Sequence, residues 1–274
     1  MGLIVETVSD DQQPTYVVGD VHGHREALED ALAEHGIVDE SGDWSGGSTH
    51  LWFVGDFVDR GPDGIGVIDL VMRLQEQAAD AGGYVQTLLG NHEILLLGTH
   101  RFGDTEIAPD TPGRTFARSW LINGGQADDL EHLRDTHVEW LVSRPVLAHA
   151  LDHLLLHSDT MEYLHWGDDP AEINAAVQSV LAGDDLEQWW ELWRRLTTRY
   201  AFRGGNGADA AERMLEQLGG TRIVHGHSVI ADQVGLAPME ISGPHSYAGG
   251  RVLGIDAGVF AGGPCLVVRL PWDS

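Results

Sequence analysis

The sequence predicts an α/β fold, on three observations. Runs of β-formers alternate with helical periods through the first hundred residues. Each of these strands ends in Gly followed by Asp or Asn. No long apolar run, internal repeat or low-complexity segment points to another class. The runs are Thr15-Tyr16-Val17-Val18, His50-Leu51-Trp52-Phe53-Val54 and Tyr84-Val85-Gln86-Thr87-Leu88-Leu89. Helical patterns over 25–35, over 64–79 and from His92 separate and follow them, which implies parallel strands joined by right-handed crossovers. The first residues, to about Asp11, read as a loose end or an edge strand.

Further along, 36–48 and 98–114 are rich in Gly, Pro, Ser and Asp and read as loops. Residues 115–143 have a helical period, with Trp120, Leu121, Leu130, Leu133, Val138, Trp140 and Leu141 apolar. Strands are expected over 145–150 and 153–157, joined at Leu151-Asp152. Helices follow over 169–182, 186–200 and 208–218, then a strand over 222–225. The tail, 251–270, reads as strand, hairpin, strand. Trp189, Trp190 and Trp193 read as packing residues, with a substrate wall as the alternative. No repeat or linker divides the chain, so residues 1–274 are expected to form one domain, with helical cap insertions near 115–143 and 161–200.

Composition excludes several functions. The 274 residues carry a formal charge of −27, and all 16 basic residues are Arg. Such a field repels nucleic-acid phosphates, so no nucleic-acid partner is expected. The missing Lys reads as a genomic composition bias. No apolar run is long enough to span a membrane, and the N-terminus lacks a basic region with a long apolar core. With one cysteine, Cys265, there is neither an internal disulfide nor a Cys-x-x-Cys site, and a cytoplasmic location is expected.

The chemistry concentrates at the strand ends: Gly19-Asp20-Val21-His22-Gly23, Gly55-Asp56-Phe57-Val58-Asp59-Arg60-Gly61 and Gly90-Asn91-His92-Glu93. Open α/β sheets place ligands at that edge. Asp20 and His22 can reach one divalent metal from an extended backbone. Asp56 can bridge two metals through its two oxygens, and Asn91 offers a neutral oxygen to the second. His157 ends a later apolar strand. In Ile223-Val224-His225-Gly226-His227, either histidine could be a further ligand.

These motifs in this order resemble the calcineurin-like metallophosphoesterases, in particular the bacterial relatives of the phosphoprotein phosphatases. The resemblance implies an αββα sandwich of two mixed sheets with flanking helices and a two-metal centre. It places Asp20, His22 and Asp56 on one metal, and Asp56, Asn91, His157 and His227 on the other. The Gly-His motif points to His227, leaving His225 as a supporting group. Phosphodiesterase branches carry a further His where this chain has Val229, which favours a phosphatase.

Direct attack on phosphorus by a hydroxide bridging the two metals is expected, with no phosphoenzyme. His92 is then the general acid, and Asp59 holds its proton. Arg60 and Arg203 match the phosphate-binding arginines, with Arg199 as the competitor for the second place. Asn91 also borders the substrate. The mixed N and O donors point to Mn, with Fe or Zn as alternatives. Asp256 reads equally as a partner to a metal ligand or as a turn residue. His245 and Tyr247 align loosely with a substrate loop of the family. The tail, Gly254 to Gly263, resembles the bacterial symmetrical dinucleoside-tetraphosphatases.

The expected function is therefore hydrolysis of phosphomonoesters, on phosphoproteins or small phosphate esters. A dinucleoside polyphosphate hydrolase is the alternative, and a non-catalytic metal-binding module the third possibility.

Overall fold

A computed structural model describes residues 13–107 and 113–272; the expected N-terminal edge strand lies outside them. The first sheet contains β1 (Thr15–Val18), β2 (His50–Phe53), β3 (Tyr84–Thr87) and β9 (Val267–Leu270), in the order β3-β2-β1-β9. Strands β1, β2 and β3 are mutually parallel, and β9 closes the edge antiparallel to β1, with Thr15 opposite Leu270. The second sheet has the order β4-β5-β6-β8-β7 and is built from β4 (Leu147–Ala150), β5 (His153–Leu156), β6 (Arg222–His225), β7 (His245–Tyr247) and β8 (Val252–Gly254). Here β5, β6 and β8 are parallel, and the two edge strands run antiparallel to them.

Strand side chains alternate between faces, and that alternation builds the layers. Val17 and Trp52 from the first sheet meet Leu155, Val224 and Leu253 from the second in a dry core between the sheets. Their neighbours Val18, Leu51 and Phe53 face the other way, onto helices α1 (Arg25–Glu34) and α2 (Gly64–Asp80). On the second sheet Leu154, Leu156 and Ile223 likewise face outward, in a cluster with residues of α7 (Pro170–Ala182) and α9 (Gly207–Leu218). The result is the expected αββα sandwich.

Three expectations change. The span 115–143 is broken into α4 (Phe116–Ile122), α5 (Ala127–His132) and α6 (Asp135–Val142), because Gly124-Gly125 and Leu133 interrupt the helical backbone. The loop expected from residue 98 starts later, since α3 (Asn91–Phe102) runs through Gly98; a Cβ there would meet the Phe116 ring at 2.3 Å. The tail is not a hairpin. Its two strands, β8 and β9, join different sheets, while β8 pairs instead with β7, a strand the sequence did not suggest. A short helix, α10 (Ile230–Val234), also went unforeseen.

Helices α4 and α8 (Leu186–Leu196) pack on α3, and α5 packs on α2. Trp189 is buried, and Trp190 and Trp193 are partly buried against Phe116, so these rings act in packing. Among the described residues no helix is long and apolar enough to cross a membrane.

Candidate metal centre

Six parallel strands, three from each sheet, converge on one place at their carboxyl ends. β1 delivers Asp20 and His22, β2 delivers Asp56, Asp59 and Arg60, and β3 delivers Asn91 and His92 at the start of α3. β5 delivers His157, β6 delivers His227 and β8 delivers Asp256. All of these but Arg60 are buried. The backbone turns sharply to achieve this. His22, Asp56, Asp59, Arg60 and His227 adopt positive φ of 46°, 57°, 67°, 66° and 63°. Each such residue costs of order 1–3 kcal/mol, a strain that concentrates at functional sites.

Asp56 is the centre of the arrangement. Its Oδ2 lies 3.6 Å from His22 Nε2, and its Oδ1 lies 3.3 Å from His157 Nε2. Ligand atoms of Asp56, His157 and His227 lie within 4.8 Å of one another, as do those of Asp56, His22 and His92. Asn91 Oδ1 accepts from His157 Nε2 at 2.9 Å. The triad around His22 is completed by His92 rather than by Asp20. Asp20 enters from beside His227, whose backbone N–H it binds through Oδ2 at 2.9 Å. Its other oxygen, Oδ1, is buried with no hydrogen-bond partner. Gly226 leaves the room for it, since a Cβ there would meet this oxygen at 1.9 Å.

The ring orientations are set from behind. His22 Nδ1 donates to the Val58 carbonyl and His157 Nδ1 to the Val54 carbonyl, each at 2.9 Å, so both Nε2 atoms turn inward. His225, the other histidine of the Gly226 turn, faces away: its Nε2 pairs with the Tyr247 hydroxyl at 2.7 Å.

Charge in the site follows from burial. Burial, with Asp256 and Asp56 nearby, raises the Asp20 carboxyl well above its usual range. Burial also lowers His22, helped by His92 and Arg60, and lowers His227, helped by His157 and Arg199. Burial alone would lower His157 as well, but the Asp56, Asp20 and Glu93 carboxylates override it and push it up to about 9. Several buried carboxylates thus converge around His157. Together with the unpartnered Asp20 oxygen and the mixed carboxylate, imidazole and amide donors, they fit two divalent cations.

Beside this centre stands a buried His–Asp pair. His92 Nδ1 donates to Asp59 Oδ2 at 2.7 Å. Arg60 points one terminal nitrogen at His22 Nε2 and the other at His92 Nε2, each at 2.9 Å. Arg203 stands apart from this group. Its guanidinium lies 3.7 Å over the Tyr200 ring, and its charge is felt by His225, His245 and Tyr247. Its Nε and one terminal nitrogen are buried without partners. The Arg199 charge, by contrast, reaches His227. Asp256 caps a turn, accepting from the Gly258 N–H at 2.8 Å, while its charge reaches Asp20.

Four supporting residues were not found by sequence reasoning. Glu93 accepts from the backbone N–H groups of Asp56, Phe57 and Gly90 at 2.8, 2.7 and 2.9 Å, which pins the bend after β2 to the start of α3. Its place three residues into the helix, after Gly90, is the one signal that could have found it. Trp120 Nε1 donates to Asp59 Oδ1 at 2.6 Å, and Asp129 accepts from the Asp59 backbone N–H at 2.9 Å. Asp159 accepts from the Ser228 hydroxyl and from the Tyr200 backbone N–H, tying the His157, His227 and Tyr200 loops together.

Asp129 gives the protein a pH dependence. Burial pushes its carboxyl up to about 6, against the hydrogen bond from Asp59 and with the help of the Asp59 charge. Above its ordinary value of about 3.9 the unfolded chain loses this proton while the folded chain keeps it, so stability falls as pH rises toward 6. Asp129→Asn removes that component. The variant's deficit against wild type in urea unfolding is expected to shrink between pH 4 and 6; a constant deficit would contradict the assignment.

The chain matches the calcineurin-like phosphoesterase family over residues 14–231. Over 92 residues it is 36% identical to Shewanella-like protein phosphatase 2 of Arabidopsis thaliana, covering 34% of this chain and 24% of that protein. Over 199 residues it is 25% identical to the symmetrical bis(5'-nucleosyl)-tetraphosphatase of Bordetella pertussis, covering 73% of this chain and 54% of that protein. The chain thus spans about a quarter to a half of these relatives' length. The cold-active protein-tyrosine phosphatase of a psychrophilic Shewanella species has the same fold. Its TM-score is 0.68 at 21% identity, over 94% of this chain and 75% of that one. With its motifs at the ends of the parallel strands and the match running through most of its length, the chain belongs to the calcineurin-like phosphoesterase family.

Proposed function

We propose that the chain is a metal-dependent phosphatase that hydrolyses phosphomonoesters, on phosphoproteins or as small phosphate esters. One observation carries this reading: Asp56 presents one oxygen toward His22 and the other toward His157, with the Asp59–His92 pair alongside. Asp20, His22 and Asp56 would hold one divalent ion, and Asp56, Asn91, His157 and His227 the other, with Mn the first choice for both. Two such ions would acidify a shared water and offset charge on the phosphoryl group.

The chain's own residues do the rest. The terminal nitrogens of Arg60 lie between the His22 and His92 rings and present a planar fork to phosphoryl oxygens. His92 Nε2, which accepts from Arg60 at 2.9 Å, would carry the proton for the departing alkoxide once phosphoryl oxygens take over that Arg60 hydrogen bond. Asp59, accepting from Nδ1, keeps the imidazole oriented. Trp120 and the Asp59 backbone contact with Asp129 hold that carboxylate in place.

A second reading, hydrolysis of dinucleoside polyphosphates, is favoured by a specific feature. Arg203 over Tyr200, next to the stacked His245 and Tyr247 rings 5.3 Å apart, could receive a base and a distal phosphate. A turnover panel of phosphopeptide, small alkyl phosphate and diadenosine tetraphosphate, with Mn supplied, separates the two. Faster turnover of the phosphomonoesters is expected, and preference for the dinucleotide by orders of magnitude would replace the first reading with the second. Failure to hydrolyse any of them, para-nitrophenyl phosphate included, would point to the non-catalytic module.

A further inference from the structure

We infer that Phe260 is a positioning residue for the phosphate-binding arginine, clamping the Arg60 guanidinium from above so that its fork stays aimed into the site. The inference rests on the reading of Arg60 as the group that meets the phosphate.

Arg60 is held from several sides. Its backbone N–H donates to the Gly124 carbonyl at 2.7 Å. Gly124 also packs against its stem, where a Cβ would meet Arg60 Cγ at 2.8 Å. Its terminal nitrogens touch His22 and His92. The remaining side is covered by Phe260, whose ring centroid lies 4.3 Å from the guanidinium carbon and 5.5 Å from the His22 ring, edge to face at 89°. A cation over an aromatic face at this separation is attracted by the ring quadrupole, more strongly where water is partly excluded. A planar guanidinium stacked on a ring also loses the freedom to swing out of the fork's plane.

The segment that carries Phe260 is built to hold it still. It sits in a single tight turn, Val259–Ala261, between two glycines with left-handed backbone, Gly258 at φ 76° and Gly262 at φ 90°. Asp256, buried, accepts from the Gly258 N–H at 2.8 Å, and Ala261 and Gly263 both donate to the Gly258 carbonyl. Gly263 lies so close to Ala257 that a Cβ would meet its carbonyl oxygen at 2.0 Å. Despite this anchoring, Phe260 is 37% exposed and lies outside the hydrophobic core clusters. An aromatic side chain that adds little to the core, on a turn tied to the buried Asp256, is explained by what it touches. It touches Arg60 and His22.

The test compares Phe260→Leu, Phe260→Tyr and Arg60→Ala with wild type, all loaded with the same divalent ion. The readouts are kcat and KM for para-nitrophenyl phosphate, inhibition by inorganic phosphate, and melting temperature. For Phe260→Leu, KM and the phosphate inhibition constant are expected to rise about tenfold, with kcat within about twofold and an unchanged melting temperature; cation–π contacts span about twofold at exposed sites to about thirtyfold when desolvated. Phe260→Tyr, which keeps the ring face, is expected to restore wild-type phosphate affinity. If Arg60→Ala weakens phosphate while Phe260→Leu does not, Arg60 binds phosphate unaided and the inference is overturned. If Phe260→Tyr is as weak as Phe260→Leu, the ring face is not what acts, and it is overturned as well. If Arg60→Ala leaves phosphate affinity intact, the role given to Arg60 fails first, and the clamp with it.

Discussion

Asp56→Asn is expected to reduce bound divalent metal from two ions to at most one and to lower kcat/KM by about 10³-fold or more. Asp56 turns one oxygen to each ligand group, 3.6 Å from His22 Nε2 on one side and 3.3 Å from His157 Nε2 on the other. An amide in its place keeps one oxygen, loses the negative charge and turns an N–H₂ toward the second group. Metal-supplied stabilisation of phosphoryl charge is worth several kcal/mol, and about 1.4 kcal/mol is a factor of ten. Elemental analysis after gel filtration reads the stoichiometry. A variant that retains two ions would sink the bridging assignment. The fold is expected to survive, because the His92 backbone N–H, now bound to Asp56 Oδ1 at 3.0 Å, can still donate to the amide oxygen.

Asp59→Asn is expected to lower kcat about 10²-fold to 10³-fold on alkyl phosphates while leaving metal content at two. On para-nitrophenyl phosphate, whose leaving group needs no proton, the loss should be several-fold only. The geometry makes the substitution awkward at both ends. Asp59 accepts from His92 Nδ1 through one oxygen and from Trp120 Nε1 through the other, at 2.7 and 2.6 Å. An amide can satisfy one of these donors and must point N–H₂ at the other, which costs about 1–3 kcal/mol of buried hydrogen bonding. Either the imidazole loses its orienting partner or the indole does. Equal losses on both substrates would argue against a proton-delivery role. Unchanged activity on the alkyl ester would remove Asp59 and His92 from the reaction.

The first-sheet elements were legible because their signals are local. Strands β1, β2 and β3 are short runs rich in β-branched and aromatic residues, and each is followed within three residues by a glycine where the chain leaves the sheet. Asp20, His22, Asp56 and Asn91 fall within a few residues of those stops. The tail was misread for the converse reason. The segments Val252–Gly254 and Val267–Leu270 each look like strands, and the Gly-rich stretch between them looks like a turn. Whether two strands pair with each other or with distant partners depends on which sheet edge is free, and the edges open beside β6 and β1 were made by other parts of the chain. The break of 115–143 into three helices was likewise hidden, because an apolar period survives a change of direction.

Which histidine of His225-Gly226-His227 enters the site was ambiguous to the residues and unambiguous to the geometry. His227, at φ 63°, turns into the group around Asp56, while His225 turns to Tyr247. The supporting contacts were invisible for a related reason. Trp120 and Asp129 reach Asp59 from 61 and 70 residues away, and Phe260 reaches Arg60 from much farther along the chain. The residue types needed for two-metal phosphate chemistry, and the strand ends that carry them, follow from short-range rules of β-propensity and glycine flexibility, so they can be read from the sequence. How those groups are aimed depends on hydrogen bonds and ring contacts between segments that meet only when the two sheets close on each other. That closure is driven by burial of the Val17, Trp52, Leu155 and Val224 layer, which carries no chemical information about the site it assembles.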